Sequence, residues 1–218
     1  MASTNPYDPP PSPTHGDSDA NITYAAVGRA IIKWEAVEVD LATLFMSLIG
    51  GNLGQLGAIR RAYGSVLTFR GRKEMIEAVK ETFFAAYRDK VLEADLKKHL
   101  DLCANYSPRR NEIAHGIVQP HPDFEHPNKF TWVLMPSEYA TNKRRLNKLP
   151  DDLHEKLRAE GHVFQPFKTT PKYLYSSVEI DFLGQRFDDL VPPTSKLIRR
   201  VLKARIVAQQ PGLPEKPA

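Results

Sequence analysis

The sequence predicts a mainly α protein, a bundle of four or five helices with a small antiparallel β-insertion before the last helix. Three observations lead there. An early segment places Val27, Ala30, Ile31, Trp34, Val37, Leu41, Leu44, Phe45 and Leu48 at three-four spacing, the period of an amphipathic helix. Several later segments repeat that period. Between residues 117 and 175 it gives way to short β-like runs separated by Pro-, Asn- and Lys-rich connections. With 218 residues, 41% of them apolar, the chain can bury a sizeable core.

Each element follows from local chemistry. Gly50-Gly51 ends the first helix. Lys33, Glu35 and Asp40 lie on its polar side, whereas Glu38 falls beside the apolar stripe, where a buried acid needs a partner. A second helical region runs from about Gln55 to Asp89, broken near Gly64 or Gly71, with Met75, Ile76, Val79, Phe83 and Phe84 on one side. A third opens near Glu93 through Leu96, Leu100 and Cys103; Pro108 either restarts it behind Ser107 as N-cap or kinks it. It ends at Gly116 as the residue after the cap. Strands are expected at 117–119, 130–135 and 173–176, with a short helix at 149–157. Ser176 and Glu179 form a capping box for the next helix, through Leu190. Pro192-Pro193 then interrupts, and Leu197, Ile198, Val201, Leu202 and Ile206 line a further segment to about residue 207.

Composition sets the boundaries. Residues 1–20 hold five prolines and three aspartates without Lys or Arg. That differs from a signal or transit peptide and predicts a disordered tail, matched by a second at 209–218. The folded helical domain is expected over 21–208, with the insertion at about 117–175. One cysteine, Cys103, excludes an internal disulfide framework and a Cys-based zinc site, so a reducing cytoplasm is the expectation. No apolar run reaches membrane-spanning length, and no membrane partner is expected. The whole chain has 30 basic and 26 acidic residues; without Lys216 and the four tail acids Asp8, Asp17, Asp19 and Glu215 these become 29 and 22, a net +7. That balance suits a polyanionic partner such as RNA.

The segment Arg109-Arg110-Asn111-Glu112-Ile113-Ala114-His115-Gly116 holds the strongest chemical signal. It resembles the hallmark of HEPN domains, the helical-bundle superfamily of RNases and RNA-binding proteins. In that hallmark an Arg, often followed by a polar residue such as Asn, precedes a His by four to six residues near a helix end. Arg110, Asn111 and His115 match it, and Trp34-x3-Glu38 adds a less specific likeness to bacterial members. The resemblance covers residues 21–118 and 176–207. It implies homodimers with the cleft between protomers, metal-independent cleavage to cyclic phosphates without a cofactor, and a toxin or phage-defence role beside an antitoxin or regulatory protein.

Residue chemistry agrees with that implication. Asn111 and His115, at i and i+4, share a helix face, so Asn111 can position the imidazole or the substrate. Arg110 lies about 140° away by phase, yet its long side chain can swing into the same cleft. Its guanidinium offers a fixed fork to the charge that develops at phosphorus, and histidine is the side chain that exchanges protons near neutrality. Transesterification needs a base and an acid, and one motif supplies one histidine; a twofold dimer supplies two. Glu38 and Arg109 are expected in support.

Other candidates are less specific. Lys196, Arg199, Arg200 and Lys203 make a basic stripe that fits an RNA backbone or a plain solvated face. Arg70, Arg72 and Lys73, and Lys143, Arg144 and Arg145, allow the same two readings. His115, His121 and His126 with Asp123 and Glu125 could hold a metal for hydrolysis, but their spacing fits no zinc pattern, and no metal is assigned. Alternatives stay open: a non-catalytic bundle that binds RNA or a protein, or a motif that serves only the fold, with Glu112 pairing Arg109 on a solvated face.

Overall fold

The computed structural model describes residues 7, 8, 13, 15–123, 129–136, 146–148, 169–171 and 174–208, and among these the chain is mainly helical. Helix α1 spans Ala20–Ile49, α2 Leu53–Ser65, α3 Phe69–Ala86 and α4 Lys90–His115. Strands β1 (Ile117–Pro122) and β2 (Phe130–Met135) pair antiparallel, as do β3 (Leu146–Lys148) and β4 (Thr169–Pro171). Helices α5 (Ser177–Asp188) and α6 (Val191–Ala208) follow. The helix expected at 149–157, the basic triplet at 143–145, Glu125, His126, Tyr173 and the tail from 209 lie outside the described residues.

Two compact units divide the chain: Met1–Ile31 with Pro108–Gly184, and Ile32–Ser107 with Gln185–Ala218. The second is purely helical among its described residues. Trp34 is fully buried there, its ring 5.1 Å from Phe187 and 5.5 Å from Phe69. Val37, Leu41, Leu44, Phe45 and Leu48 extend that core, so the predicted stripe of α1 is the face that packs. Gly50 and Gly51 end α1 with φ of 71° and 128°, angles that exclude most other residues. Arg205 donates to the Leu48 carbonyl at this helix end, and a Cβ on Gly50 would collide with its guanidinium.

The break in the second helical region falls between Ser65 and Phe69, just past Gly64, the earlier of the two expected positions, and not at Gly71. The reason is that Thr68 accepts from the Gly71 amide and caps α3. Asn52 and Gln55 exchange both bonds of a capping box for α2. Pro192 and Pro193 sit in the first turn of α6, where a helix has no use for their missing amides.

One buried polar cluster is expected to make this unit sensitive to pH. His99 is buried with Nε2 2.7 Å from Thr194 Oγ1, and that hydroxyl donates its single proton to the Leu190 carbonyl. Nε2 therefore carries hydrogen and donates. Burial lowers the His99 pKa below the ordinary histidine value. The unfolded chain consequently binds a proton that the folded one resists, so the contribution is complete above about pH 6.5 and shrinks as pH falls below it. Urea titrations at pH 7 and pH 5 are expected to show stability falling by up to about 1.4 kcal/mol per pH unit from this one site. His99→Gln should flatten that dependence; an unchanged pH profile would exclude the linkage.

The first unit combines the start of α1, the end of α4, the strands and most of α5. Ile117 pairs with Met135 and Pro122 with Phe130, and Leu134 forms a single bridge to Tyr175 in place of the strand expected at 173–176. Ser176 caps α5 with Glu179, as their spacing predicts. Asp17, assigned to the tail by composition, is instead buried. Its backbone bridges Trp132, and its carboxylate accepts from Thr23 Oγ1 at 2.6 Å, Ser177 N at 2.9 Å and Ser177 Oγ at 2.6 Å. One acid thus joins β2, α1 and α5. Asp17→Ala strands these donors and is expected to cost about 2–4 kcal/mol, lowering Tm by roughly 5–10 °C in circular dichroism melts. A shift within 2 °C would show that this junction contributes little.

Candidate functional site

The site is built on the last two turns of α4. The helix passes through Pro108 without a new start, so Ser107 is not an N-cap. Pro108 is exposed, and the price is one intrahelical bond, that to the Ala104 carbonyl. The continuous helix then presents Arg109 inward and Arg110 and Asn111 at half-buried positions, and it ends on the exposed His115. Gly116 does not take the left-handed conformation expected of a residue after the cap. It is needed for space: a Cβ there would come 2.7 Å from Leu134 Cδ1 and 2.8 Å from the Glu112 carbonyl. The chain therefore leaves α4 directly into β1.

A buried cluster holds the base of the motif. Arg109 and Glu112 are both fully buried and paired, Nη2 to Oε1 at 2.7 Å. Tyr175 OH donates to Glu112 Oε2 at 2.8 Å, and Arg109 Nη1 lies 3.4 Å from the same hydroxyl. The partner anticipated for Arg109 was right and its surroundings were wrong, since the pair is enclosed and not solvated. Apolar neighbours Ile113, Leu134 and Leu174 are buried in this unit as well. In such surroundings either charge alone would be costly to bury, so loss of one partner penalises the other. Arg109 therefore supports the motif from within the fold.

Arg110 Nη1 donates to Asn111 Oδ1 at 3.2 Å. The structure thus brings the proposed phosphate-binding and positioning residues into contact, and the exposed His115 lies one turn beyond Asn111 on the same helix. Guanidinium, amide and imidazole together provide a charge, an orienting dipole and a proton carrier. These are the group types that acid–base chemistry at a phosphodiester draws on, with one proton carrier per chain.

The remaining candidates have other occupations. Glu38 accepts from Trp34 Nε1 at 3.2 Å and from Arg72 Nη1 at 2.9 Å, so its partners belong to the helical core. Arg72 also donates to the Val66 carbonyl and lies over the Tyr63 ring, while Lys73 pairs with Asp101 and Arg70 with Glu74. Cys103 is buried and its thiol is pushed up to about 12, which keeps it uncharged and chemically quiet. On α6, Lys196, Arg199 and Lys203 are exposed, and Arg200 pairs with Asp95. His121 Nδ1 lies 2.7 Å from the Pro122 carbonyl. Among the described residues no three His, Cys, Asp or Glu side chains gather as a metal site, and no helix is long and apolar enough to cross a membrane.

Sequence reasoning missed Asp17 and Tyr175. Tyr175 had a usable signal: an aromatic hydroxyl in a β-like run needs a polar partner once buried. Comparison with family models, with curated proteins and with solved structures returned no match.

Proposed function

We propose that this chain is a metal-independent endoribonuclease of HEPN type that works as a homodimer. The supporting observation is the contact of Arg110 with Asn111 one turn before an exposed His115, on a helix end anchored by a buried ion pair. In this reading a substrate 2′-hydroxyl loses its proton to one imidazole and attacks phosphorus. The bond to the 5′-oxygen breaks, a second imidazole protonates that oxygen, and a 2′,3′-cyclic phosphate and a 5′-hydroxyl result. Arg110 balances the charge developing on the phosphoryl oxygens, and Asn111 orients imidazole or substrate. The two imidazoles are those of two protomers related by a twofold axis. Exposed Lys196, Arg199 and Lys203, with Arg200, supply backbone attraction. A cytoplasmic toxin or phage-defence role, restrained by an antitoxin or regulatory protein, belongs to the same reading.

The test is cleavage of single-stranded RNA in EDTA by wild type, Arg110→Ala and His115→Ala. A second reading, a non-catalytic bundle that binds RNA or a protein, follows from the single histidine that one protomer's motif provides. Sedimentation equilibrium separates the two: a strictly monomeric chain lacks the second imidazole and fits the binding role.

A further inference from the structure

The helical unit contains a cavity of about 300 Å³ between α4 and α6 that the proposed cleavage chemistry does not use. Its walls are of two kinds. Leu102, Leu197 and Pro193 form an apolar side, and the cationic residues Lys98, Lys196 and Arg200 are among its other lining residues, both lysines being exposed. Asp95 is the lone carboxylate among the lining residues and is paired with Arg200. His99 also lines the cavity, but its imidazole is buried, donates to Thr194 and stays neutral near pH 7 because burial lowers its pKa. Three cations against one carboxylate leave the lining at +2.

We propose that this cavity is a binding site for a small organic phosphate monoester. The charge selects the head group: a phosphate monoester is close to a dianion at neutral pH, as the second phosphate ionisation near pH 6 requires, and it balances +2 where a single carboxylate leaves one charge over. The two lysines reach it as mobile point charges. Arg200 keeps further N–H donors beyond the one that meets Asp95. The apolar side selects the body, because inorganic phosphate would leave Leu102, Leu197 and Pro193 wet. A volume of about 300 Å³ is at the small end of ligand pockets, which restricts the body to the size of a single nucleoside or less. The site belongs to the unit without Arg110 and His115, but it shares Lys196 and Arg200 with the stripe assigned above to RNA-backbone attraction, and the RNA comparator below separates the two roles.

Isothermal titration of the full chain with adenosine 5′-monophosphate tests the proposal, with adenosine, inorganic phosphate and a short single-stranded RNA as comparators. The expected result is saturable one-to-one binding with Kd at or below about 1 mM, at least tenfold weakened when either the phosphate or the nucleoside is omitted. Lys98→Glu/Lys196→Glu alters two exposed helical positions, should fold normally by circular dichroism, and is expected to weaken binding at least tenfold. Leu102→Trp fills the apolar side without changing charge and should do the same. Overturning results are equal binding of the monophosphate and its fragments, or equal affinity in both variants. RNA binding that the double variant abolishes while the monophosphate fails to bind would also overturn it, and would make this face a phosphate-backbone track instead.

Discussion

His115→Ala is expected to reduce cleavage of single-stranded RNA in EDTA by about 10²- to 10⁴-fold, the contribution of one positioned acid or base, while leaving the fold intact. The residue is exposed on the last turn of α4, so truncating it should change stability by no more than about 0.5 kcal/mol. Arg110→Ala should give a loss of about 10²- to 10³-fold, the scale of removing one donor to developing negative charge. The two variants differ in what rescues them. Arg110→Lys keeps the charge but loses the planar fork and should fall between wild type and alanine, whereas no ordinary side chain replaces an imidazole as proton carrier near pH 7. If His115→Ala cleaves as fast as wild type, the ribonuclease reading is sunk. If Arg110→Ala alone is unaffected, the phosphate is held elsewhere.

Asn111 offers an internal control. Its amide receives a hydrogen bond from Arg110, so Asn111→Ala should disturb placement more than charge. The expected signature is a rise in KM with a smaller fall in kcat than His115→Ala produces.

Elements set by local chemistry were legible from sequence, and those set by distant partners were not. The α1 stripe and the Ser176–Glu179 cap needed only residues within a turn or two of each other, and both are found where their spacing puts them. Glu38 showed the reverse case. Its position beside an apolar stripe demanded a partner, but that partner, Arg72, lies 34 residues away and no local pattern names it. Asp17 was hidden by its neighbours, because a proline-rich, acidic segment predicts disorder on average while one carboxylate with three donors can fix a single point. At the site, the order Arg-Asn-His on a last turn was readable; that Arg109 faces inward and Arg110 does not was masked by two identical residues in succession.

That division between neighbouring arginines predicts the largest stability effects in the molecule. Arg109→Ala leaves Glu112 as an enclosed carboxylate without its cation and is expected to cost about 3–5 kcal/mol, as is Glu112→Ala by the converse. Tyr175→Phe removes a hydroxyl that donates to Glu112 and should cost about 1–3 kcal/mol. Arg110→Ala, one position along, should change little by comparison. Urea unfolding of the four variants measures this ordering, and equal losses for Arg109 and Arg110 would contradict the burial that separates them. Replacing both partners at once, Arg109→Met with Glu112→Leu, removes both buried charges and should destabilise less than the two alanine variants combined. Activity then tells packing from chemistry. If the ion pair acts only by holding the end of α4, the double variant should regain cleavage in proportion to its folded fraction, because Arg110, Asn111 and His115 are untouched. A fully folded double variant without cleavage would instead mean that Arg109 shapes the electrostatics of the site from below.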